Sequence, residues 1–565
     1  MVSLGVSAVR GLAPRTTVWA RRVERISPVR VLGSLIVLQW ALVLGLALTV
    51  RHAGWIYYQG GDQLWYYTTA WLLAHGQFPQ PGIGYLWPIL LSPIAIVGGP
   101  NLIEVYPAIV ILQVLILLPV ALLCVFGIAR RLGGQLFGYW ASAAWVVIPL
   151  VSIKYTDAGY HQRFTEALLP QGLGLTAMAD LPTTVAALLS AYFCTRLLTD
   201  ERPRAFDALA AGLAGGAAVA VKPATALFLA GPAFAFLAAR YWRPAALYAA
   251  GLAPAVVTLT FVKWRGFGYL PLLHPTAAAR VAAGRGQLVA AGAIGHYLPF
   301  DGHQFLTQLD QLREHFWSGR LIEWLVLAGS LAIFIRSRRV GWLVLGWFWP
   351  IVLIKTGSAR ADMEGGGLLR VLMPAYPAFV LMIASLPFLW PGLARRLPSA
   401  AAARERRIGP GAQTITLLAA VLLTAAVPFA AFAAASPLRS GPGLKAASAG
   451  GPPIPIAIDL GLHARRAGKT NTLTWRKVDP AGGPVFYEIF RRLTWTPEIT
   501  CTGPAAQKCG YQFTQVAATR STRWTDPHPD PHNSVEYYVG VAGNWLNDTT
   551  MGDVYELSRG VTAKP

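Results

Sequence analysis

Four charged residues stand where an otherwise apolar chain leaves little room for charge: Asp62, Asp180, Lys222 and Arg370. Asp62 lies in Gly60-Gly61-Asp62-Gln63-Leu64-Trp65-Tyr66-Tyr67, an aromatic stretch that follows the first long apolar run. A carboxylate partly withdrawn from water becomes more basic, so an acid at that edge suits deprotonation of an incoming hydroxyl. Asp ahead of an apolar helix is also a routine N-cap, and the residue types leave both roles open. Asp180 opens another apolar run in Met178-Ala179-Asp180-Leu181-Pro182 and carries the same ambiguity, with Pro182 placed for a first helical turn. Lys222, in Ala220-Val221-Lys222-Pro223-Ala224, sits at the turn between two apolar runs. There it either snorkels toward headgroups or receives an anionic phosphate. Arg370 starts a later run in Gly367-Leu368-Leu369-Arg370-Val371-Leu372-Met373-Pro374.

Two carboxylates and two cations gathered on one face fit transfer from a lipid phosphate. One acid removes a proton from the acceptor hydroxyl, while Lys and Arg stabilise the charge that grows on the departing phosphate. Trp65 and Tyr66 are placed either to stack on a sugar or to join Trp55, Tyr57, Tyr58, Tyr67, Trp71 and Trp87 in an interfacial aromatic belt. His161 and Arg163, and also His296, His303 and His315, fall in loops of the same side and are further candidates for substrate contact. No Walker motif or Rossmann glycine fingerprint appears, which fits a lipid-linked rather than a nucleotide donor, and no cysteine cluster or HExxH-type pair points to zinc. The sequence therefore implies no metal and no cofactor.

These residues need a frame, and the composition dictates it. The chain has 565 residues, 54% hydrophobic and 13% charged, with a mean hydropathy of +0.45. That balance belongs to a multi-span membrane protein. A formal charge of +22 raises nucleic acid as a partner, but the Lys and Arg fall in short clusters between apolar runs, as topology signals do. Apolar runs at 31–50, 103–128, 136–153, 181–199, 205–221, 223–239, 244–262, 321–335, 340–355, 370–390 and 413–435 predict eleven spans after a cytoplasmic segment 1–30, the first retained rather than cleaved. With the N-terminus inside, the basic loops at 130–131, 196–204, 240–243, 336–339 and 395–407 all fall inside. The apolar piece 86–97, broken by Pro88 and Pro93, is too short to cross and is expected to lie in the outer interface. Arg370 then lies outside, against the positive-inside tendency, which argues for an anionic partner.

A Gly/Ser/Pro/Ala linker at 436–454 leads to a tail of different character, 455–565. Leu473-Thr474-Trp475, 485–490 and 535–542 read as strands divided by Pro, Gly and Asp, and predict a small extracytoplasmic β-sandwich. Cys124 and Cys194 lie inside apolar runs. Cys501 and Cys509, eight apart in the polar tail, read as a disulfide.

The Gly-Asp-Gln-Leu-Trp-Tyr-Tyr stretch ending in Ala74-His75-Gly76, the Ala-Asp-Leu-Pro opening, the Val-Lys-Pro-Ala turn and Arg-Val-Leu-Met-Pro-Ala-Tyr-Pro, taken in that order, resemble the GT-C glycosyltransferase superfamily over about 31–390. The protein O-mannosyltransferase-like and lipid A aminoarabinose transferase branches are the nearest. The resemblance implies a polyprenyl-phosphate sugar donor, inverting transfer to a glycan, lipid or protein acceptor, and two juxtamembrane helices matching 62–75 and 86–97. It implies that Asp62 is the catalytic base, Asp180 the acid after the second outer loop, and Lys222 and Arg370 the cations at the donor phosphate. Many relatives carry two adjacent acids in the first loop, whereas Gln63 follows Asp62 here. The tail, over roughly 455–562, resembles a fibronectin type III domain, with the cysteine pair as a local addition. A different class, a transporter or flippase for a lipid-linked glycan, accounts for the many Gly and Pro, but the chain shows no repeated halves. A glycan-binding membrane receptor fits the tail and leaves Asp62 and Lys222 without a role.

Overall fold

The computed structural model describes residues 27–49, 62–79, 83–98, 102–153, 169–267, 270, 300–315, 319–358, 363, 367–394, 409–437, 456–458, 460–477, 486–493, 512–519, 521–527, 529, 534–542, 556–558 and 561–564. The protein is a bundle of apolar helices followed by a small β region. All eleven expected apolar runs are helical, although not all are long single spans. Among the described residues, seven helices are long and apolar enough to cross a membrane.

The bundle begins with α1 (Pro28–Thr49). Next come α2 (Asp62–Ala74) and α3 (Leu86–Gly98), which match the two short helices expected before the second span. α4 (Leu102–Ile111) runs through a π-helical stretch into α5 (Leu118–Ile153). The two spans expected at 103–128 and 136–153 are two helical arms separated by a sharp kink at Gly133 and Gly134, whose backbone angles are not helical. Gly134, at φ +81°, holds a conformation that side chains resist.

α6 (Asp180–Thr199) and α7 (Ala205–Val221) form a hairpin, and Pro223–Leu229, a 3-10 segment, leads into α8 (Ala230–Ala239). α7 and α8 are shorter than a bilayer-crossing helix, which is one reason the count departs from eleven. α9 (Trp242–Phe267) crosses α7 backbone to backbone: a Cβ on Gly212 would strike the Tyr248 carbonyl, and one on Gly251 the Leu209 carbonyl.

α10 (Gly302–His315) precedes α11 (Gly319–Arg336), which carries Arg320 and Glu323 near its start and Arg336 at its end. α12 (Arg338–Thr356) starts at Ser337, whose side chain accepts the Val340 N–H at 3.5 Å. α13 (Gly367–Leu372) passes through a Met373–Ala375 turn into α14 (Tyr376–Ser385). α15 (Pro410–Val421) and α16 (Val427–Ala434), joined by a π-helical stretch, complete the bundle.

The interior is mainly apolar, and the exterior, unlike that of a water-soluble bundle, is apolar too. Val37, Leu44, Ile116, Val147, Val257, Ile335, Ile415, Leu418 and Leu423 point outward and exposed, while Gln39, Gln113, Ser142, Thr183, Ser190 and Asp207 are buried. An apolar exterior is what a lipid solvent selects. Trp145 donates to Gln39 at 3.2 Å and Trp40 to the Val114 carbonyl at 3.0 Å, fixing α1 against the bent helix.

The two ends of the bundle carry different groups. At one end Arg131 bonds Asp200 at 2.5 Å, Arg336 donates to the Leu132 carbonyl at 2.7 Å, and Arg339 to the Tyr241 hydroxyl at 3.0 Å. The opposite end gathers α2, α3, the starts of α6 and α13, and the beginning of the tail. Asp301 N–H donates there to the Gly357 carbonyl at 2.8 Å and Met363 N–H to Gln308 at 2.8 Å.

The tail leaves α16 as a two-residue strand, β2 (Ser436–Pro437), parallel to β1 (Gln77–Phe78), with Ser436 N–H on the Gly76 carbonyl at 2.8 Å. Arg265 clamps this exit, donating to the Phe432 carbonyl and, at 2.6 Å, to that of Ala435, with its guanidinium over the Phe78 ring at 5.0 Å. Beyond it, β4 (His463–Ala467), β5 (Thr470–Thr474) and β8 (Arg523–Asp526) form one antiparallel sheet. A second sheet is built on β6 (Phe486–Leu493), β7 (Gln512–Thr519) and β9 (Val535–Ala542), with β3 (Ile456–Ile458), β10 (Glu556–Ser558) and β11 (Val561–Ala563) added at one side. The alternation read from the sequence places Leu473, Trp475 and Trp524 of the first sheet in one buried core with Tyr487, Ile489, Tyr537 and Val539 of the second. Asn471 donates to the Tyr537 hydroxyl at 2.8 Å, which donates to Asp526 at 2.7 Å. Cys124 and Cys194 are free and buried, and Cys501 and Cys509 lie outside the described residues.

Candidate functional site

The hairpin of α6 and α7 brings Asp180 and Lys222 together across 42 residues of sequence. Asp180 is the first residue of α6 and is 2% exposed; its carboxylate receives the Lys222 ammonium directly. It makes no side-chain cap to its own helix, so the capping role left open by the sequence is not the one adopted. Helix dipoles favour the arrangement, since the acid sits at an N-terminus and the cation at a C-terminus. Lys222 ends α7 in an extended conformation (φ −142°, ψ 100°), where Pro223 turns the chain into the 3-10 segment. Lys222 does not snorkel alone toward headgroups: its partner is a buried acid.

The surroundings hold this pair in place. Thr183, one turn along α6, donates to the Ala218 carbonyl at 2.8 Å and lies 3.0 Å from the Thr225 hydroxyl. Gly84 presses on the end of α7, where a Cβ would meet the Ala220 and Val221 carbonyls. The preceding-loop neighbour Tyr85 donates to the Ala255 carbonyl at 3.3 Å and to that of Thr424. Burial pushes its phenol above the usual range, an effect partly offset by a hydrogen bond with Thr258, so the ring serves as a neutral donor.

Arg370, half-buried on α13, reaches Met178 with Nη1 3.7 Å from the thioether sulfur. Met178 lies two residues before Asp180, so Asp180, Lys222 and Arg370 share one neighbourhood. The Met373–Ala375 turn after Arg370 is fixed by Trp347, fully buried, which donates to the Pro374 carbonyl at 2.7 Å.

Asp62 is the first residue of α2; its side chain and that of Trp65 lie outside the described part. The next residue is well placed. Gln63 is fully buried, and its Oε1 accepts from Ala177 N–H at 2.6 Å and from the Tyr106 hydroxyl at 2.9 Å. α2 therefore starts against the segment that leads into Asp180. Trp87 of α3 donates to the Ala177 carbonyl at 2.9 Å, and Gln113 to the Thr176 carbonyl. The sequence shows no sign of Tyr106 or Ala177 and singles out Gln63 and Trp87 without this role; the available signal was an amide held among aromatic residues in a stretch with little other polarity.

The aromatic expectations need correction. Tyr66 is 6% exposed and packs in the same core as Tyr67, Trp71 and Trp87, so its ring offers no open face to a sugar. These four residues line the protein interior instead of forming a headgroup belt, because α2 and α3 fold onto each other and onto the bundle. His303 is exposed on α10, while His161, Arg163 and His296 lie outside the described residues.

No protein-family profile matches the sequence, and no curated protein matches it. Among solved structures, the chain is similar to ArnT from Cupriavidus metallidurans bound to undecaprenyl phosphate, with 14% identity and a TM-score of 0.42 over 72% of this chain and 77% of that one. It is also similar to the archaeal oligosaccharyltransferase AglB from Archaeoglobus fulgidus in complex with an inhibitory peptide and a dolichol-phosphate. There the identity is 14% and the TM-score 0.38, over 75% of this chain and 57% of that one.

Proposed function

We propose that this chain is a GT-C-type membrane glycosyltransferase that moves a sugar from a polyprenyl-phosphate donor to an acceptor hydroxyl at the outer face of the membrane, with inversion. The observation that carries the reading is the meeting of the Asp180–Lys222 pair and Arg370 at the end of the bundle where α2 begins with Asp62. In the reaction, the acceptor oxygen attacks the anomeric carbon while the bond from that carbon to the phosphate oxygen breaks. The acceptor proton passes to the Asp62 carboxylate, and the electron pair leaves on the phosphate. The phosphate gains negative charge as it departs, so cations poised beside it lower the barrier. Asp180 fixes the Lys222 ammonium in a site largely shielded from water. In this reading the tail, a fibronectin type III-like sandwich, lies on the acceptor side.

The test is transfer by the purified protein in liposomes, offered synthetic polyprenyl-phosphate monosaccharides and glycan, lipid and peptide acceptors. Release of polyprenyl phosphate coupled to acceptor glycosylation is the expected result. Movement of intact lipid-linked sugar across the vesicle bilayer, without glycosidic cleavage, would replace this reading with a flippase. Orientation is checked separately: an impermeant thiol reagent applied to intact cells is expected to label single cysteines placed between 438 and 450, and protection until permeabilisation would reverse it.

A further inference from the structure

The peptide unit of Ala177 is held from both sides, by Gln63 at its N–H and by Trp87 at its carbonyl. Gln63 belongs to α2 and Trp87 to α3, so both short helices grip one peptide, three residues before Asp180. A third contact fixes the same Gln63 oxygen, from Tyr106 at the start of the bent helix. All of these side chains are buried, and Gln63 immediately follows Asp62. The chain thus has a rigid link between the position of Asp62 and that of the Asp180–Lys222 pair.

We infer that Gln63 is a positioning residue: through the Ala177 peptide it sets the spacing between the Asp62 base and the Asp180–Lys222 phosphate site. The role rests on the glycosyltransferase reading above. An inverting displacement needs the acceptor oxygen, the anomeric carbon and the leaving phosphate in line, so a base and a phosphate site on separate helices must keep a fixed separation. The amide suits this link because one oxygen accepts two hydrogen bonds.

The test compares Gln63→Met, which keeps length and volume but removes the acceptor, with Gln63→Glu, which keeps an oxygen for both donors. Transfer from synthetic polyprenyl-phosphate sugars is measured alongside hydrogen exchange of the peptide that contains the Ala177 amide. Gln63→Met is expected to lower kcat by roughly ten- to a hundredfold, the scale of a misplacement of about 1 Å. Donor KM should stay unchanged and Ala177 exchange should quicken. Gln63→Glu is expected to restore most of both. A residue that only fills space gives the reverse order, since buried Met is tolerated better than buried Glu. Trp87→Phe, which keeps the ring packing and removes the donor, should produce the same kcat-selective loss if Gln63→Met does not fold. Unchanged Ala177 exchange in Gln63→Met overturns the link itself. Quickened exchange with wild-type kcat overturns the positioning role. Absence of transfer by the unaltered chain overturns the glycosyltransferase reading, and the positioning role with it.

Discussion

α6 and α7 run antiparallel and are clasped by an acid and a base at each end. Asp180 pairs with Lys222 at one end, and Arg196 pairs with Asp207, at 3.2 Å, at the other. Each acid sits in the first turn of its helix and each cation at the end of its own, so the helix dipoles favour both pairs equally. Their neighbours differ. The Arg196 guanidinium lies 5.8 Å over Tyr192 and 5.7 Å over Phe193, rings of its own helix. Lys222 meets Asp180, the Thr225 N–H donates to its carbonyl at 2.9 Å, and Arg370 reaches Met178, two residues before that acid. One clasp is closed by aromatic rings. The other is built among groups able to meet an anion. The same pairing chemistry therefore staples the hairpin at one end, and in our reading is turned to phosphate binding at the other.

Substitutions can separate the two uses. The largest effect is expected at the end that carries the chemistry: Asp62→Asn keeps the shape, removes the base, and should reduce transfer by about 10²–10⁴ with folding intact. Transfer near the parent rate in the purified variant would remove the base from that end. Arg196→Met should show in stability instead, since stranding a buried acid costs about 3–5 kcal/mol. In thermal unfolding the variant should melt early, while the protein that remains folded keeps its donor KM. A donor KM raised without loss of stability would dissolve the distinction between the clasps.

Lys222→Met keeps the apolar stem and removes the cation. A charged hydrogen bond of about 1.5–3 kcal/mol corresponds to roughly ten- to a hundredfold in donor affinity and turnover. Titrating donor and acceptor separately decides the assignment, because a change confined to the acceptor constant would move Lys222 to the acceptor site. Arg370→Met acts in the same direction and is expected to cost about tenfold or less, the residue being only half-buried. The smallest effect is expected at His303, exposed on α10. His303→Ala should change stability by no more than about 0.5 kcal/mol and leave transfer constants unaltered.

Much of the architecture was legible along the chain. Hydropathy placed every apolar run that became a helix, the length of 86–97 marked it as too short to cross, and alternation in the tail placed Leu473, Trp475 and Tyr487 on buried faces. These features are local: a run of about 20 apolar residues, or an alternation of period two, reports its own transfer from water whatever its partners are. The break at Gly133 and Gly134 lies in the gap between two apolar runs, whereas around Pro223 two short helices, Ala205–Val221 and Ala230–Ala239, stand where full spans were expected. The aromatic cluster of α2 and α3 was also misplaced. Trp and Tyr suit an interface and a protein core equally well, and only the folding of α3 onto α2 chose the core for Tyr66, Tyr67, Trp71 and Trp87.

Residue types alone determined that Asp62, Asp180, Lys222 and Arg370 are unusual, since each places charge at the edge of an apolar run. Only the tertiary structure decided that Asp180 and Lys222 are partners, that Arg370 approaches through Met178, and that Gln63 reaches a peptide 114 residues away. Hydropathy and capping depend on neighbours within a few residues and are written in sequence order. A contact across 42 or 114 residues depends on which helices pack side by side, and that is set by the summed fit of many apolar faces and by close approaches such as Gly212 against Tyr248.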